Sequence, residues 1–299
     1  MRPDDTATVP GVRSLIPNRV LVEIAARSDR GKKRTNNEDT YLVYRTGRFV
    51  ERISSNIPES ELASQFEDGG YLMAVADGMG GMRAGEVASR EALLTGFRLV
   101  LRAPKWLLNL DDPATRNTEI EAFFERVHGY LAGMHAELLQ QMKSDPSKAG
   151  MGTTYTAAYS VGYDVFIVHI GDSRAYLFHD GHLRRLTRDH TLAQRLADQG
   201  AIAQEEVEQH PQRHILTRVV GGSGGWFRAE IHHTRLEPGD AILVCTDGLT
   251  GTVSDEEIAT ILARHGKSEE ACDALLAASL ERGAPDNVTM VVARYREAG

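Results

Sequence analysis

Two cysteines in 299 residues cannot make a disulfide framework, and Cys245 and Cys272 lie far apart, which points to a reducing, cytoplasmic setting. No stretch approaches the roughly eighteen consecutive apolar residues that a membrane helix needs. The N-terminus carries Asp4 and Asp5 without an apolar segment behind them, so no secretory signal is expected. Basic charge is also short: the formal net charge of −8 argues against a nucleic-acid binder. Histidine and cysteine never recur at zinc-site spacing. The eleven histidines are scattered, and the adjacent pair His232 and His233 would face opposite sides of a strand. No serine sits in a glycine-flanked elbow, so a Ser-His-Asp triad has no support. Internal repeats and low-complexity breaks are missing as well. What remains is a chain, 41% hydrophobic, able to bury a sizeable core.

Against these absences one pattern stands out. The run Tyr71-Leu72-Met73-Ala74-Val75-Ala76 ends abruptly in Asp77-Gly78-Met79-Gly80-Gly81. An apolar run of that length bounded by glycine reads as a buried strand. A carboxylate at its mouth is costly unless a cation or several donors meet it. The same event recurs where residues 165–170 run into Gly171-Asp172, where 241–245 run into Asp247-Gly248, and where Asp286-Asn287 opens the run 288–292. One site gathering these carboxylates would explain all of them.

The remaining elements frame that site. Strands are expected at 20–27 and 41–44, with residues 45–68 as a long excursion between two antiparallel strands. Helices are expected at 84–101 and 118–142, the second carrying Ile120, Phe123, Phe124, Val127, Tyr130, Leu131, Met134, Leu138 and Leu139 at three- and four-residue intervals. Strands at 153–160, 165–170, 175–179 and 183–186, with turns at Gly162 and Asp180-Gly181, suggest an antiparallel meander. A helix at 191–199 and a mobile polar excursion over 200–214 follow. Further strands are expected at 215–220, 228–236 and 241–245, then two helices opened by Ser254 and Ser268, and a closing strand at 288–295. The order predicts an α+β fold with antiparallel sheets.

Aspartates at strand ends without nearby His or Cys are ligands for hard cations, since magnesium and manganese favour carboxylate, carbonyl and water oxygens. The glycine after each aspartate is expected to leave the backbone carbonyl accessible and to let the chain turn sharply away. Arg34, in a loop ending at Glu38-Asp39, complements the acids: its guanidinium suits two phosphate oxygens, or it simply pairs with Glu38 or Asp39. Spacing alone leaves both open.

In order along residues 20–296 the chain carries Arg34 with Asn37-Glu38-Asp39, Asp77-Gly78-Met79-Gly80-Gly81 with Gly85-Glu86 and Ala88-Ser89, and Met151-Gly152-Thr153-Thr154. It continues with Gly171-Asp172-Ser173-Arg174-Ala175-Tyr176, Leu186-Thr187 with Asp189-His190, Leu216-Thr217-Arg218, Asp247-Gly248-Leu249 and Asp286-Asn287-Val288-Thr289. Each motif is weak by itself; together, in this order, they resemble bacterial metal-dependent serine/threonine protein phosphatases of type 2C. The resemblance implies two stacked antiparallel β-sheets flanked by helices on both faces, an αββα sandwich, in one domain over 20–297. It leaves 1–19 as a disordered tail and makes about 191–212 a flap beside the site. It implies two Mn²⁺ or Mg²⁺ ions, with Asp77 bridging them, the Gly78 carbonyl holding one, and Asp247 and Asp286 completing the other. Glu38 and Asp39 would act through waters, Arg34 would bind the substrate phosphate, and Asp172 would help hold a third, weaker ion. Hydrolysis would proceed by a metal-bridged hydroxide attacking phosphorus in line, without a phosphoenzyme. The implied partners are phosphorylated proteins and a cognate serine/threonine kinase.

Three positions depart from the pattern. Met79 stands where many relatives carry histidine, so the general acid is unassigned. Gly251 stands where an aspartate would serve the third ion, and Met82 replaces a frequent histidine. Two alternatives follow: a catalytically silent relative that binds phosphoproteins or a kinase, and a metal-dependent hydrolase of small phosphoesters.

Overall fold

The structure, a computed structural model, describes residues 20–51, 54, 65–79, 84–102, 108, 110, 112–222 and 228–297. The tail 1–19 and residues Gly80, Gly81 and Met82 of the glycine cluster lie outside the described residues.

The chain opens with β1 (Val20–Asp29), β2 (Asp39–Glu51) and β3 (Gln65–Met79), followed by α1 (Ala84–Arg102) and α2 (Arg116–Ser144). Next come β4 (Gly152–Thr153), β5 (Tyr155–Val161), β6 (Asp164–Ile170), β7 (Arg174–His179) and β8 (His182–Arg185). After α3 (Leu192–Asp198) the chain continues with β9 (Val220–Gly221), β10 (Glu230–Arg235) and β11 (Ala241–Cys245). It closes with α4 (Asp247–Thr250), α5 (Asp255–Arg264), α6 (Ser268–Glu281) and β12 (Val288–Glu297). One sheet runs β1-β12-β11-β7-β8; the other runs β10-β6-β5-β3, with β2 also on β3 and the short β4 and β9 continuing from the end of β3. Every pairing is antiparallel.

Three cores account for the layers. Met73, Val75, Ala158 and Ile167 of one sheet meet Leu177, Ile242, Val244, Val291 and Tyr295 of the other. Ala74 and Ala76 point the opposite way and share a core with Ala88 and Ala92 of α1 and with Leu131 and Leu138 of α2. Met290 and Val292, between the residues that face the other sheet, pack with Ile258 and Leu262 of α5 and Leu275 of α6. Strands covered on both faces need apolar residues at every position, which is why they read as continuous runs. The alternation is one of size: alanines face α1 and allow close approach, while methionine and valine fill the space between sheets. The fold is thus the expected α+β sandwich of two antiparallel sheets with helices outside.

Several details differ from expectation. β2 and β3 pair along their whole length, from Asp39 with Asp77 to Glu51 with Gln65, so most of the excursion 45–68 is the continuation of one hairpin. β5-β6 and β7-β8 are hairpins at the expected turns but belong to different sheets, so residues 171–173 cross the sandwich and the four strands are not one meander. Within 215–220 only Val220 is strand, apart from a bridge between Thr191 and Leu216. The span 200–214 contains a 3-10 helix, Gln204–Gln209. Ser254 caps α5, its Oγ accepting from Glu257 N at 3.4 Å. Ser268 does not cap α6: Lys267 takes that place, while Ser268 N and Oγ donate to Glu23 of β1 at 2.7 and 2.8 Å.

Candidate active site

All the strand-end acids meet at one end of the sandwich. Asp39 begins β2 and Asp77 stands near the end of β3, directly opposite it in the register. Asp247 follows β11 by two residues, Asp286 precedes β12 by two, and Asp172 lies on the link between β6 and β7. Directly opposed strand residues point to the same face, so Asp39 and Asp77 crowd one another by construction.

The surrounding backbone is fixed by hydrogen bonds from short polar side chains. Asp77 N donates to Thr154 Oγ1 at 2.9 Å, while Asp77 O accepts from Thr154 N at 2.9 Å and Thr153 Oγ1 at 2.8 Å. Thr246 Oγ1 donates to Asp39 Oδ2 at 2.8 Å and accepts from Thr289 N at 3.1 Å, joining the two sheets. Asn287, 4% exposed, accepts from Glu38 N at 2.8 Å and donates to Arg30 O and Asn36 O, each at 2.9 Å. That amide ties the loop carrying Arg34 to the start of β12.

At Gly78 the expected turn is missing, and at Gly78 and Gly248 close backbone approach makes a further demand for glycine. β3 does not turn at Gly78 but continues to Met79. A Cβ at Gly78 would stand 2.0 Å from Gly85 O, and one at Gly248 would stand 1.8 Å from Asn287 O. Close backbone approach, more than turning, demands glycine there. At Asp247 the chain does leave the strand, entering the single helical turn of α4, an element not anticipated.

Electrostatics separate these acids from two other buried carboxylates, Asp189 and Asp164. Asp189 is held low, because Arg174 and Arg185 outweigh the upward push of burial. Asp164 is likewise low, with Arg116, His233 and Arg235 around it. At the strand ends the opposite holds. Burial pushes Asp39 up to about 7 despite hydrogen bonds from Thr246 and Thr289, with Asp247 and Asp286 adding repulsion. Burial, then repulsion from Asp39, Asp247, Asp172 and Asp286, holds Asp77 far above the ordinary carboxylate range. Asp172 and Asp247 are raised too, burial first and neighbouring acids next. Asp39 Oδ1 and Asp247 Oδ1 are buried and accept no hydrogen bond.

This donor set suits a hard divalent cation: oxygen atoms only, several mutually repelling negative charges, and two buried carboxylate oxygens, Asp39 Oδ1 and Asp247 Oδ1, without a hydrogen bond. Arg34 is the cation alongside. Its Nη2 donates to Asp286 Oδ2 at 2.6 Å, rather than to Glu38 or Asp39, and Asn287 N donates to Asp286 Oδ1 at 2.8 Å. Glu38 borders the same place, accepting from Asn36 Nδ2 at 3.4 Å, and its side chain lies beside Gly85. Met79 is 40% exposed and has no proton to give. Gly251 is the residue after α4, its N–H donating to Asp247 O at 2.7 Å.

Beside the acids lies a histidine cluster that sequence order concealed. Ring nitrogens of His169 and His190 and a carboxylate oxygen of Glu230 lie within 4.8 Å of one another. Both nitrogens of His169 are engaged, Nδ1 with Thr156 Oγ1 at 2.9 Å and Nε2 donating to Arg188 O at 3.0 Å, and burial pushes its pKa down to about 3. His190 Nδ1 accepts from Gly171 N at 3.1 Å while His190 N donates to Gly171 O at 2.7 Å. These bonds fasten the link bearing Asp172 to the base of segment 191–217. That segment is closed by Leu192 N donating to Ile215 O and Thr217 N to His190 O, both at 2.8 Å. Inside it, the Gln194 and Gln204 amides exchange hydrogen bonds at 3.0 and 3.1 Å.

Thr246, Asn287 and Thr154 support the site yet carry no chemistry that sequence reasoning singles out. Their only signal is adjacency: Thr246 precedes Asp247, Asn287 follows Asp286, and Thr154 closes a motif.

A family model described as Protein phosphatase 2C matches residues 52–287. Serine/threonine protein phosphatase PstP of Mycobacterium tuberculosis is 36% identical over 274 residues, 92% of this chain but 45% of its own, so the chain spans about half the length of that relative. Serine/threonine phosphatase stp of Listeria monocytogenes is 32% identical over 266 residues, 89% of this chain and 93% of its own. The crystal structure of the PstP catalytic domain in complex with two manganese ions superposes with a TM-score of 0.69 at 33% identity, covering 93% of this chain and all of the other.

Proposed function

The chain belongs to the protein phosphatase 2C family, the metal-dependent serine/threonine protein phosphatases, and from that premise we propose that it hydrolyses phosphoserine and phosphothreonine in proteins at the acid cluster. One observation carries the assignment. Among the described acids, Asp164 and Asp189 have arginines and Asp240 has His179 and the Glu237 N–H, whereas Asp39, Asp77, Asp172 and Asp247 repel one another, and Asp39 Oδ1 and Asp247 Oδ1 accept no hydrogen bond. Such a cluster is stable when cations join it.

On this reading Asp77, the Gly78 carbonyl, Asp247 and Asp286 hold two Mn²⁺ or Mg²⁺ ions. Glu38 and Asp39 act through waters, and Asp172 offers one carboxylate toward a weaker third ion that lacks a partner at Gly251. The ions supply charge neutralisation at the phosphoryl group and a water nucleophile activated near neutral pH. Arg34 receives the phosphate: its planar fork matches two phosphoryl oxygens and orients the group. Asn287 keeps the loop of Arg34 at a fixed distance from Asp286. Thr246 holds Asp39 in one rotamer. The stable pairing at 191–217 makes 191–212 a preformed wall beside the site, suited to reading the peptide around the phosphorylated residue. Residues 20–297 then form one catalytic domain. Its partners are phosphoproteins, among them targets of a serine/threonine kinase.

The test is phosphate release from a phosphothreonine peptide by chelator-treated protein, with and without millimolar Mn²⁺, beside Asp247→Asn. The expected result is manganese-dependent release that falls about 100-fold or more in the variant. Folded protein releasing no phosphate with any divalent cation would overturn the catalytic reading in favour of a silent phosphoprotein-binding relative. Faster turnover of nucleotides or sugar phosphates than of phosphopeptides would overturn the substrate class.

A further inference from the structure

Arg34 and Asp286 are joined at the seam between two tasks. The guanidinium suited to a phosphoryl group donates to Oδ2 of an acid suited to a cation, at 2.6 Å. The geometry of the pair is imposed from both sides. On the acid side, Asp286 Oδ1 is taken by Asn287 N at 2.8 Å, which fixes the carboxylate and turns Oδ2 toward Arg34. On the other side, the Asn287 side chain grips Arg30 O and Asn36 O, the two carbonyls bracketing Arg34, and also Glu38 N. One residue thus sets both the loop and the carboxylate. The pair is half-exposed, at 51% and 34%, so solvent reaches it and exchange of partners is open.

We propose that Arg34 is a competitor for the cation site: it latches Asp286 Oδ2, a cation taking that oxygen must displace it, and the displaced guanidinium is then free for the phosphoryl group. The inference rests on the phosphatase reading above and adds to it a coupling between cation loading and phosphate recognition. Both ligands draw on the same two side chains, so each favours the other by linkage. The coupling is modest, because a half-exposed ion pair contributes little and is screened by salt.

A competitor and a group that only binds phosphate predict different results for the same substitution. If Arg34 only binds phosphate, its removal leaves cation affinity untouched in phosphate-free buffer. If it latches Asp286, its removal tightens the cation. A general loss of positive charge near the acids also tightens the cation, and that effect is separated by removing the neighbouring charge of Lys33.

The experiment is calorimetric titration of Mn²⁺ into the chelator-treated full chain, without phosphate, for the parent, Arg34→Ala and Lys33→Ala. The expected result is about two- to five-fold tighter binding for Arg34→Ala, the range a half-exposed ion pair can supply, and no change for Lys33→Ala. Adding inorganic phosphate should tighten Mn²⁺ further in the parent and much less in Arg34→Ala. Equal tightening in both variants, unchanged binding, or weaker binding in Arg34→Ala would each overturn the latch. If neither parent nor variants bind Mn²⁺, the metal-dependent reading itself falls and the latch with it, whereas manganese binding with no effect at Arg34 removes the latch alone.

Discussion

Asp39→Asn is expected to make the cation-depleted protein more stable while impairing it as an enzyme. Asp39 is 8% exposed, and its carboxyl rises from an ordinary 3.8 to about 7, burial being the largest cause. The sign follows directly. Between about pH 4 and 7 the folded state keeps a proton that the unfolded chain has lost, so stability falls as pH rises through that window, and the loss is complete above it. Converted at 1.36 kcal/mol per pKa unit, the ceiling is about 4 kcal/mol at alkaline pH. Part of the repulsion is shared with Asp247 and Asp286, and relief at one position is smaller, about 1–3 kcal/mol. An asparagine keeps an acceptor for Thr246 Oγ1 and adds an amide that donates toward the neighbouring acids, so no new orphan is created. At this chain length the gain corresponds to roughly 2–6 °C in melting temperature. The assay is urea and thermal unfolding of parent and variant in chelator at pH 5 and pH 8. The gain should be large at pH 8, shrink toward pH 5, and reverse when saturating Mn²⁺ stabilises the parent more. A variant no more stable than the parent at pH 8 without cations would refute the idea that uncompensated acid repulsion is stored at this end of the sandwich.

Three further outcomes follow from the geometry. Asn287→Ala removes the partners of Glu38 N, Arg30 O and Asn36 O; it should cost about 2–3 kcal/mol in urea unfolding and raise KM for a phosphopeptide more than it lowers kcat, because the loop of Arg34 loosens while the acids stay. Gly248→Ala drives a Cβ to 1.8 Å from Asn287 O, and the backbone must part; a loss of about 3 kcal/mol or more, or no soluble protein, is expected from expression and unfolding tests. Gln194→Ala and Gln204→Ala break one reciprocal amide pair, so their costs in unfolding should fall short of additivity by about 0.5–1 kcal/mol, and the double variant should alter preference among phosphopeptide sequences without altering Mn²⁺ affinity.

The strand-end acids are legible in the sequence because a carboxylate after a long apolar run has no cheap resting place, and their convergence follows from that chemistry. The helices at Phe123 and Ser254 were legible for the ordinary reasons of periodicity and capping. What sequence concealed was long-range pairing. The three residues between β6 and β7 read like any tight turn, since nothing local says whether the next strand joins the same sheet or crosses to the other. Glycine and charge in 45–51 and 65–70 mimic a loop, yet the ladder between β2 and β3 runs on through them. Ser268 looked like a cap, but Glu23, 245 positions away, claimed its N–H and hydroxyl. Arg34 lay near Glu38 and Asp39 in sequence and paired instead with Asp286, 252 positions away. The His169, His190 and Glu230 grouping was invisible for the same reason, being assembled from β6, the link after β8 and β10.

The acids are divided between the two sheets: Asp39 and Asp77 belong to the one holding β2 and β3, Asp247 and Asp286 flank β11 and β12 of the other. A cation bound by both sets is therefore a rivet through the sandwich as well as a reagent. Elsewhere the sheets are held by packed apolar side chains, among them Met73, Ile167, Ile242 and Tyr295. At the end where such a cation would join both sets, its loss would remove a link between the layers. Chelation should accordingly let the layers breathe at that end alone: amide exchange would quicken around Gly78, Thr246 and Asn287 while the far ends of the same strands keep their protection.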